Sequence, residues 1–169
     1  MSQFGIRYGQ GLKVLPILTV ADVVATATAT AYFDLDQLNW ATVLVSFGAI
    51  ASTDSTGEVV ITVEASTAAS SNATEGTVAF SYRISSAVAT DSMGAITAAV
   101  AATGAAIPNT ADNTVVLIDI DPAVVAASAA DRRYVRLVIT PTAEITSTIV
   151  GATLIAEPRY PGNAIPSST

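Results

Sequence analysis

Two pairs of carboxylates are the residues of this chain whose type and spacing could do chemistry. Asp34 and Asp36 lie two positions apart, as do Asp119 and Asp121. Side chains at this spacing point to the same side of a β-strand, so either pair could bind Ca²⁺ or act as acid and base. Simpler roles compete with this, because Asp34 is placed at a strand end and Asp121-Pro122 matches a helix N-cap and first helical residue. We predict neither a metal site nor a cofactor.

Most other catalytic arrangements are excluded by composition. The 169 residues include no histidine and no cysteine, which rules out serine–histidine–aspartate triads, cysteine nucleophiles and thiolate metal sites. A serine–lysine pair would need Lys13, which has no serine at a suggestive spacing. The glycines of Gly9-Gln10-Gly11 lack the third glycine and the flanking strand and helix of a dinucleotide-binding loop. The sequence therefore predicts that the protein is not an enzyme.

The charge balance argues against direct binding of nucleic acid. The formal net charge is −7, from 14 acidic and seven basic residues, whereas a polyanion requires a basic stripe. The local basic cluster, Arg132, Arg133 and Arg136, lies beside Asp131 and favours ion pairs over a groove. Charged residues make up only 12% of the chain, about half of the ~25% typical of soluble domains. We expect much of the surface to be covered by other protein subunits.

The apolar segments do not predict a membrane protein. The best apolar candidate, residues 14–24, is interrupted by Pro16, Thr19 and Asp22. No long uninterrupted run of large apolar residues occurs elsewhere, so the sequence predicts neither a signal peptide nor a membrane span.

The elements that must position these residues are mostly strands. Alternation of side chains and β-branched residues predict strands at 23–32, 40–50, 58–65, 77–84, 114–120, 134–140 and 147–156. The loop chemistry between 40–50 and 58–65 predicts that these two strands form a hairpin. A short helix is expected over Pro122–Ala130, and Gly151 is a candidate bulge. Residues 85–110 favour no single structure.

Together these elements predict one domain with an all-β fold. We expect an antiparallel β-sandwich of about seven or eight strands with one short helix and extended terminal arms. The sandwich would span residues 23–156. Residues 1–22 would be an N-terminal arm and the approach to the first strand, and the Pro-rich residues 157–169 a C-terminal arm.

The predicted partner-binding segments are residues 1–13 and 157–169 of the arms. A short segment of this kind can bury only little surface against its own fold. Arg7 and Arg159 would anchor them, since a guanidinium matches a partner's carboxylate. Phe4, Tyr8 and Tyr160 would supply apolar contacts. The alternative is that these five residues fold back on their own domain.

Aromatic residues suggest a different kind of site. Trp40, Phe47, Phe80 and Tyr82 could form a sugar-binding platform, as aromatics do in many β-sandwich binding modules, although such residues more often belong to the core.

Several strand sequences resemble those of a known class of protein. The resembling segments are residues 32–50, Phe-Ser-Tyr-Arg-Ile at 80–84, Val-Val-Leu-Ile-Asp-Ile-Asp at 115–121, Tyr-Val-Arg-Leu-Val-Ile-Thr-Pro at 134–141 and Ala-Glu-Pro-Arg-Tyr-Pro-Gly at 156–162. This pattern of strands and closing turns is similar to small structural proteins of tailed bacteriophages, which are encoded among head genes. The resemblance implies a virion protein of the capsid cement or decoration type. It assigns no functional residue.

Such a protein is expected on the capsid surface, at junctions between capsomers, often as a homotrimer. Its partners would be the major capsid protein and copies of itself. Binding to the assembled shell would bridge neighbouring subunits and add stability that exists only in the assembled state. A tail, neck or fibre-base component would have the same composition and remains an alternative, and a carbohydrate-binding adhesion module is a further one.

Overall fold

The computed structural model describes residues 12–24, 26–70, 75–85, 92–128 and 131–159. A 3₁₀ helix, Leu35–Gln37, precedes the fourth strand, and an α-helix, α1, spans Pro122–Ser128. The strands are β1 Lys13–Asp22, β2 Thr28–Ala29, β3 Phe33–Asp34, β4 Leu38–Ser52, β5 Glu58–Ser66, β6 Glu75–Val78, β7 Phe80–Ile84, β8 Thr97–Ala99, β9 Ala105–Pro108, β10 Val115–Ile120, β11 Tyr134–Pro141 and β12 Ile145–Pro158.

The strands form two antiparallel sheets. Sheet A has the order β1-β12-β4-β10-β7-β8, and sheet B has the order β2-β11-β5-β6, with β3 also pairing β11 and β9 also pairing β5. The predicted all-β sandwich is confirmed. The described residues form more strands than the seven or eight expected, because several strands are short and one predicted strand is split.

The core lies between the sheets and follows from side-chain alternation. In β4, β5 and β11 every second residue is buried, as Val43, Ile61 and Leu137 show with no exposed surface. Burying one such side chain contributes roughly 1.5–3 kcal/mol. The buried residues of both sheets belong to a single cluster, so the sheets form one packed unit.

The chain crosses between the sheets where a hairpin was predicted. The predicted strands correspond to β4 and β5, but β4 lies in sheet A and β5 in sheet B, so the hairpin is wrong. Each strand pairs elsewhere along most of its length, β4 with β12 and β5 with β11. The connecting loop folds on itself, with Asp54 accepting from the backbone and hydroxyl of Thr56. Such a loop can cover the ~10 Å between packed sheets.

Two further predicted strands also change sheets. Among the described residues of the predicted strand 23–32, only those of β2 form a strand, because Val23 N donates to Thr148 in sheet A whereas Thr30 N donates to Leu137 in sheet B. The alternating Ala and Thr residues of this segment therefore lie where the chain passes from sheet A to sheet B. The predicted strand 77–84 is divided at Ala79 into β6 of sheet B and β7 of sheet A.

The boundaries of the predicted arms also change. Residues 13–22, expected to be part of the N-terminal arm, form the edge strand β1 along β12. At the other end Glu157 and Pro158 complete β12. Gly151 pairs regularly with Ser46 and is not a bulge. A Cβ atom at position 151 would lie only 3.0 Å from Cγ2 of Val20 on β1.

The helix begins as predicted. Asp121 Oδ1 accepts from Ala123 N at 2.8 Å, which confirms the N-cap, and the predicted end at Ala130 lies outside the described residues. In the undecided segment 85–110 the structure places β8 and β9, while residues 86–91 lie outside the described part. Neither described helix has the length and apolar character needed to span a bilayer.

Candidate functional site

The outward surface of sheet A carries an apolar patch bordered by polar side chains, among them Thr42, Asp119 and Arg83, which pairs in register with Leu117. Its centre is formed by half-buried side chains of three neighbouring strands, Leu44 of β4, Leu117 of β10 and Ile155 of β12, with Val14 of β1 alongside. Leu44 pairs in register with Leu117, and Val14 with Ile155. We call this surface, with Val20 and Ile149 at its corner, the sheet A face.

Several of these residues are strongly exposed. Val20 is 75% exposed, Val14 56% and Ile149 45%. Single exposed apolar residues are ordinary, but a contiguous patch marks an association surface. The sheet A face is therefore the strongest candidate for contact with another protein.

The outward surface of sheet B has the opposite character. Arg136 of β11 bridges Glu64 at 2.9 Å and Glu75 at 2.7 Å, and its guanidinium lies 4.9 Å from the ring centroid of Tyr32. Burial and a hydrogen bond from the Tyr32 hydroxyl to Glu75 raise the pKa of Tyr32 to about 12. Burial alone would lower the pKa of Arg136, but its carboxylate partners raise it on balance. Arg136, Glu64 and Glu75 on this surface are therefore paired with one another within the chain.

Two arginines of the predicted patch, Arg133 and Arg136, form ion pairs, but among the described residues not with the neighbouring Asp131 as expected. Arg133 lies 3.6 Å from Asp34 and 3.3 Å from Asp36, and Arg136 pairs as described above. Neither arginine pairs with Asp131 in the described part of the chain. The Asp34–Asp36 pair is structural, because Asp34 Oδ1 also accepts from the backbone N of Asp36 at 3.0 Å and caps the 3₁₀ helix.

The free edge of β1 is poorly suited to accept another strand. Two irregularities in its pairing with β12 lie on either side of Leu18, and Pro16 has no N–H to donate. Bulges and prolines blunt sheet edges. Association through sheet A is therefore expected to use its face and not its edge.

A groove of about 640 Å³ lies at the end of the sheet A face, between the start of β4 and α1. We call it the Trp40 groove. Most of its lining is apolar, and its polar members are Asn39, Thr42, Ser81, Asp119 and Asp121. Trp40 is 37% exposed, and its indole Nε1 donates to Glu157 Oε2 at 2.8 Å, which fixes the ring at the groove wall.

The second predicted carboxylate pair lies in this groove. Asp119 Oδ1 accepts from Thr42 Oγ1 at 2.7 Å, while Asp121 caps α1. Within the described ranges no three metal-ligand residues form a group that could hold an ion. Asp119 and Asp121 therefore share a groove without the further ligands that Ca²⁺ requires.

The four aromatic residues considered for a sugar-binding platform do not form one, and two of them have the core role expected as the more common one. Phe47 and Phe80 are core residues, 4% and 6% exposed, and Tyr82 is half-buried with its ring centroid 6.2 Å from that of Phe80. Only Trp40 of the four presents substantial surface to solvent. These strands place alternate residues inward, and that alternation directs Phe47 and Phe80 into the core.

Most of the predicted arm residues, Phe4, Arg7, Tyr8 and Tyr160, lie outside the described residues. Arg159 is described, and it contacts its own domain: its backbone N donates to Gln37 and its Nε donates to the Leu38 carbonyl at 3.0 Å. For Arg159, the alternative that the arm residue folds back on its own domain is therefore the one observed.

The sheet A face was not among the predicted sites. The signal for it was present in the nearly continuous apolar run 115–118, since a strand that is apolar on both sides needs cover on both sides. What the sequence did not reveal is that β4, β10 and β12 are neighbours.

No family model matches the chain, and neither a curated protein nor a solved structure matches it.

Proposed function

We propose that this chain is a non-enzymatic structural protein of a tailed-phage virion, of the capsid cement or decoration type. It would lie on the capsid surface and bridge neighbouring subunits of the major capsid protein through the sheet A face. One observation supports this proposal most: the outward surface of sheet A carries an exposed apolar patch, while Arg136, Glu64 and Glu75 on the outward surface of sheet B are paired with one another.

The energetics of the proposal follow from burial. Apolar surface contributes about 25 cal/mol per Å² when it leaves water. Six strands about 4.8 Å apart, each as long as the ten residues of β1, would give a face of at most about 950 Å². Polar side chains such as Thr42, Arg83 and Asp119 occupy part of this surface, so its apolar area is less than the ~800 Å² per partner of a standard interface.

One copy would therefore bind weakly through this face alone. Association of the chain with copies of itself, as a homotrimer, would multiply the contacts and raise the avidity. The arm residues Phe4, Arg7, Tyr8 and Tyr160 would add contacts and remain predicted partner-binding residues. Because the protein would bind the assembled shell and not its separate subunits, the free energy of binding would stabilise the assembled particle.

The experiment places a charge in the centre of each outward face. Leu44→Asp disrupts the sheet A face, where the in-register neighbours Leu117 and Thr153 carry no charge, and Val138→Asp is the matched control, since Val138 is half-buried at mid-strand on the outward side of sheet B. Circular dichroism and thermal unfolding of each purified variant establish that both fold.

The readouts are the number of copies on purified shells and the melting temperature of the shell. A buried, unpaired carboxylate costs several kcal/mol, so Leu44→Asp should reduce occupancy at least about tenfold while Val138→Asp retains it. Equal occupancy of both variants would refute docking through the sheet A face. Copies restricted to the tail, neck or fibre base would instead support that alternative class of structural component.

A further inference from the structure

We propose that the Trp40 groove receives a basic side chain, an arginine or lysine, from the neighbouring protein subunit. This inference rests on the proposed function, because the groove is continuous with the sheet A face. Thr42 pairs in register with Ile155 of that face, and Asp119 lies across from Thr42 on the next strand. A subunit docked on the face would cover the groove mouth.

The groove has the shape and the aromatic wall that a cationic head group requires. It is an open cavity of about 640 Å³ lined mostly by apolar atoms. Along one side lies Trp40, whose ring is held by Glu157. A guanidinium or ammonium group placed over an indole face is attracted by the negative potential of the ring.

The charges of the groove lack a counterpart within the described part of the chain. Asp34 and Asp36 are paired with Arg133, and Glu64 and Glu75 with Arg136. By contrast, none of the residues that line the groove is basic, and no described arginine or lysine forms an ion pair with Asp119 or Asp121.

The groove wall that carries these carboxylates is fixed. Asp119 uses Oδ1 to accept from Thr42, and Asp121 uses Oδ1 to cap α1. Oδ2 of each aspartate has no hydrogen-bond partner among the described residues. A partner cation would meet a preformed negative site beside an indole ring, and the long apolar stem of an arginine or lysine suits the apolar remainder of the lining.

A sugar matches the groove less well. Saccharide sites usually offer an aromatic surface together with both hydrogen-bond donors and acceptors, and here only one ring is exposed and two of the polar members are carboxylates. The negative charge selects for a cation, whereas a neutral sugar gains nothing from it.

Trp40 makes the test direct, because it is the only tryptophan in the chain. Its fluorescence is titrated with N-acetyl-arginine amide, with the uncharged isostere N-acetyl-citrulline amide, and with the disaccharide cellobiose. A saturable change with the arginine compound, absent with the citrulline compound and weakened by added salt, is expected.

Two variants of the full chain complete the experiment. Asp119→Asn should weaken the affinity for the arginine compound about tenfold, the scale of a hydrogen bond to a charged group. Glu144→Gln, which removes the same charge near the opposite end of β4, should leave it unchanged. Equal responses to the arginine and citrulline compounds, or a saturable response to cellobiose alone, would overturn the proposal.

The purified chain is sufficient for this titration, so the outcome is separable from the shell experiment. If arginine binds but Leu44→Asp keeps full shell occupancy, the docking role fails and the cation site stands. If the occupancy of Leu44→Asp falls but arginine does not bind, the docking role stands and the cation site fails.

Discussion

Trp40 Nε1 donates a 2.8 Å hydrogen bond to Glu157 Oε2, although 117 residues separate the two in the chain. The pair lies in register across β4 and β12, the two longest strands, which run side by side through the centre of sheet A. The contact therefore links the start of one strand to the end of the other. It also fixes the indole ring where the sheet A face meets the Trp40 groove.

Loss of this hydrogen bond should loosen the ring without unfolding the protein. We expect Glu157→Leu to lower the free energy of unfolding by no more than about 1.5 kcal/mol, because the hydrogen bond is exposed to solvent. Acrylamide should quench the fluorescence of Trp40 more efficiently in this variant. Glu144→Leu serves as the control, and identical quenching in the two variants would show that Glu157 does not hold the ring.

The two arginine ion-pair systems should differ in their contribution to stability. Arg136 and its partners Glu64 and Glu75 have side chains that are 17%, 22% and 21% exposed. Arg136→Met would leave two carboxylates close together, so we expect a loss of about 2–3 kcal/mol in urea denaturation.

Arg133→Met is the matched comparison. The Arg133 side chain is 44% exposed, so solvent screens its ion pairs and the expected loss is clearly smaller than that for Arg136→Met. A larger loss for Arg133→Met than for Arg136→Met would contradict this ranking.

Tyr32 should make the protein sensitive to alkali. Its pKa is raised from 10.0 to about 12, with burial as the largest cause and the hydrogen bond to Glu75 next. Folding favours the neutral phenol, so this contribution is complete below pH 10 and is lost as the pH rises through about 12. The full effect is on the order of 2–3 kcal/mol.

Tyr32→Phe removes the titrating group. The free energy of unfolding, measured by denaturant between pH 9 and pH 12, should fall less steeply in the variant than in the parent. Parallel curves would show that Tyr32 does not titrate differently in the folded and unfolded states.

Gly104 should not tolerate a side chain. Its φ is +67°, and a Cβ there would overlap the carbonyl oxygen of Ile61 on β5. We expect Gly104→Ala to cost about 2–3 kcal/mol, from backbone strain and displacement of the turn that precedes β9. Thr103→Ala, at the exposed neighbouring position, should change the thermal midpoint little, and equal shifts in both variants would contradict this role of Gly104.

The sequence predicts strands well where one face is buried. β10, β11 and β12 were found because their alternating residues, such as Ile118, Leu137 and Leu154, line the core. It fails where the chain changes sheets, because the same alternation continues across Ala79 while the pairing partner changes. Local periodicity carries no information on which sheet a strand joins.

The candidate site shows the same division. The cap at Asp121 was predicted because capping is local and the following proline marks a helix start. The cap at Asp34 was not predicted, since no helical pattern follows it. The ion-pair partners of Arg133 and Arg136 could not be predicted, because the carboxylates that contact these arginines lie far away in the sequence. The sheet A face depends likewise on long-range pairing, and it was missed for that reason.

Imaging the particle with the chain labelled tests the proposed cement role most directly. The account predicts that the label covers the capsid surface, with a set of copies at every junction between capsomers. A label confined to a single vertex or to the tail, or a capsid surface without label, would contradict it.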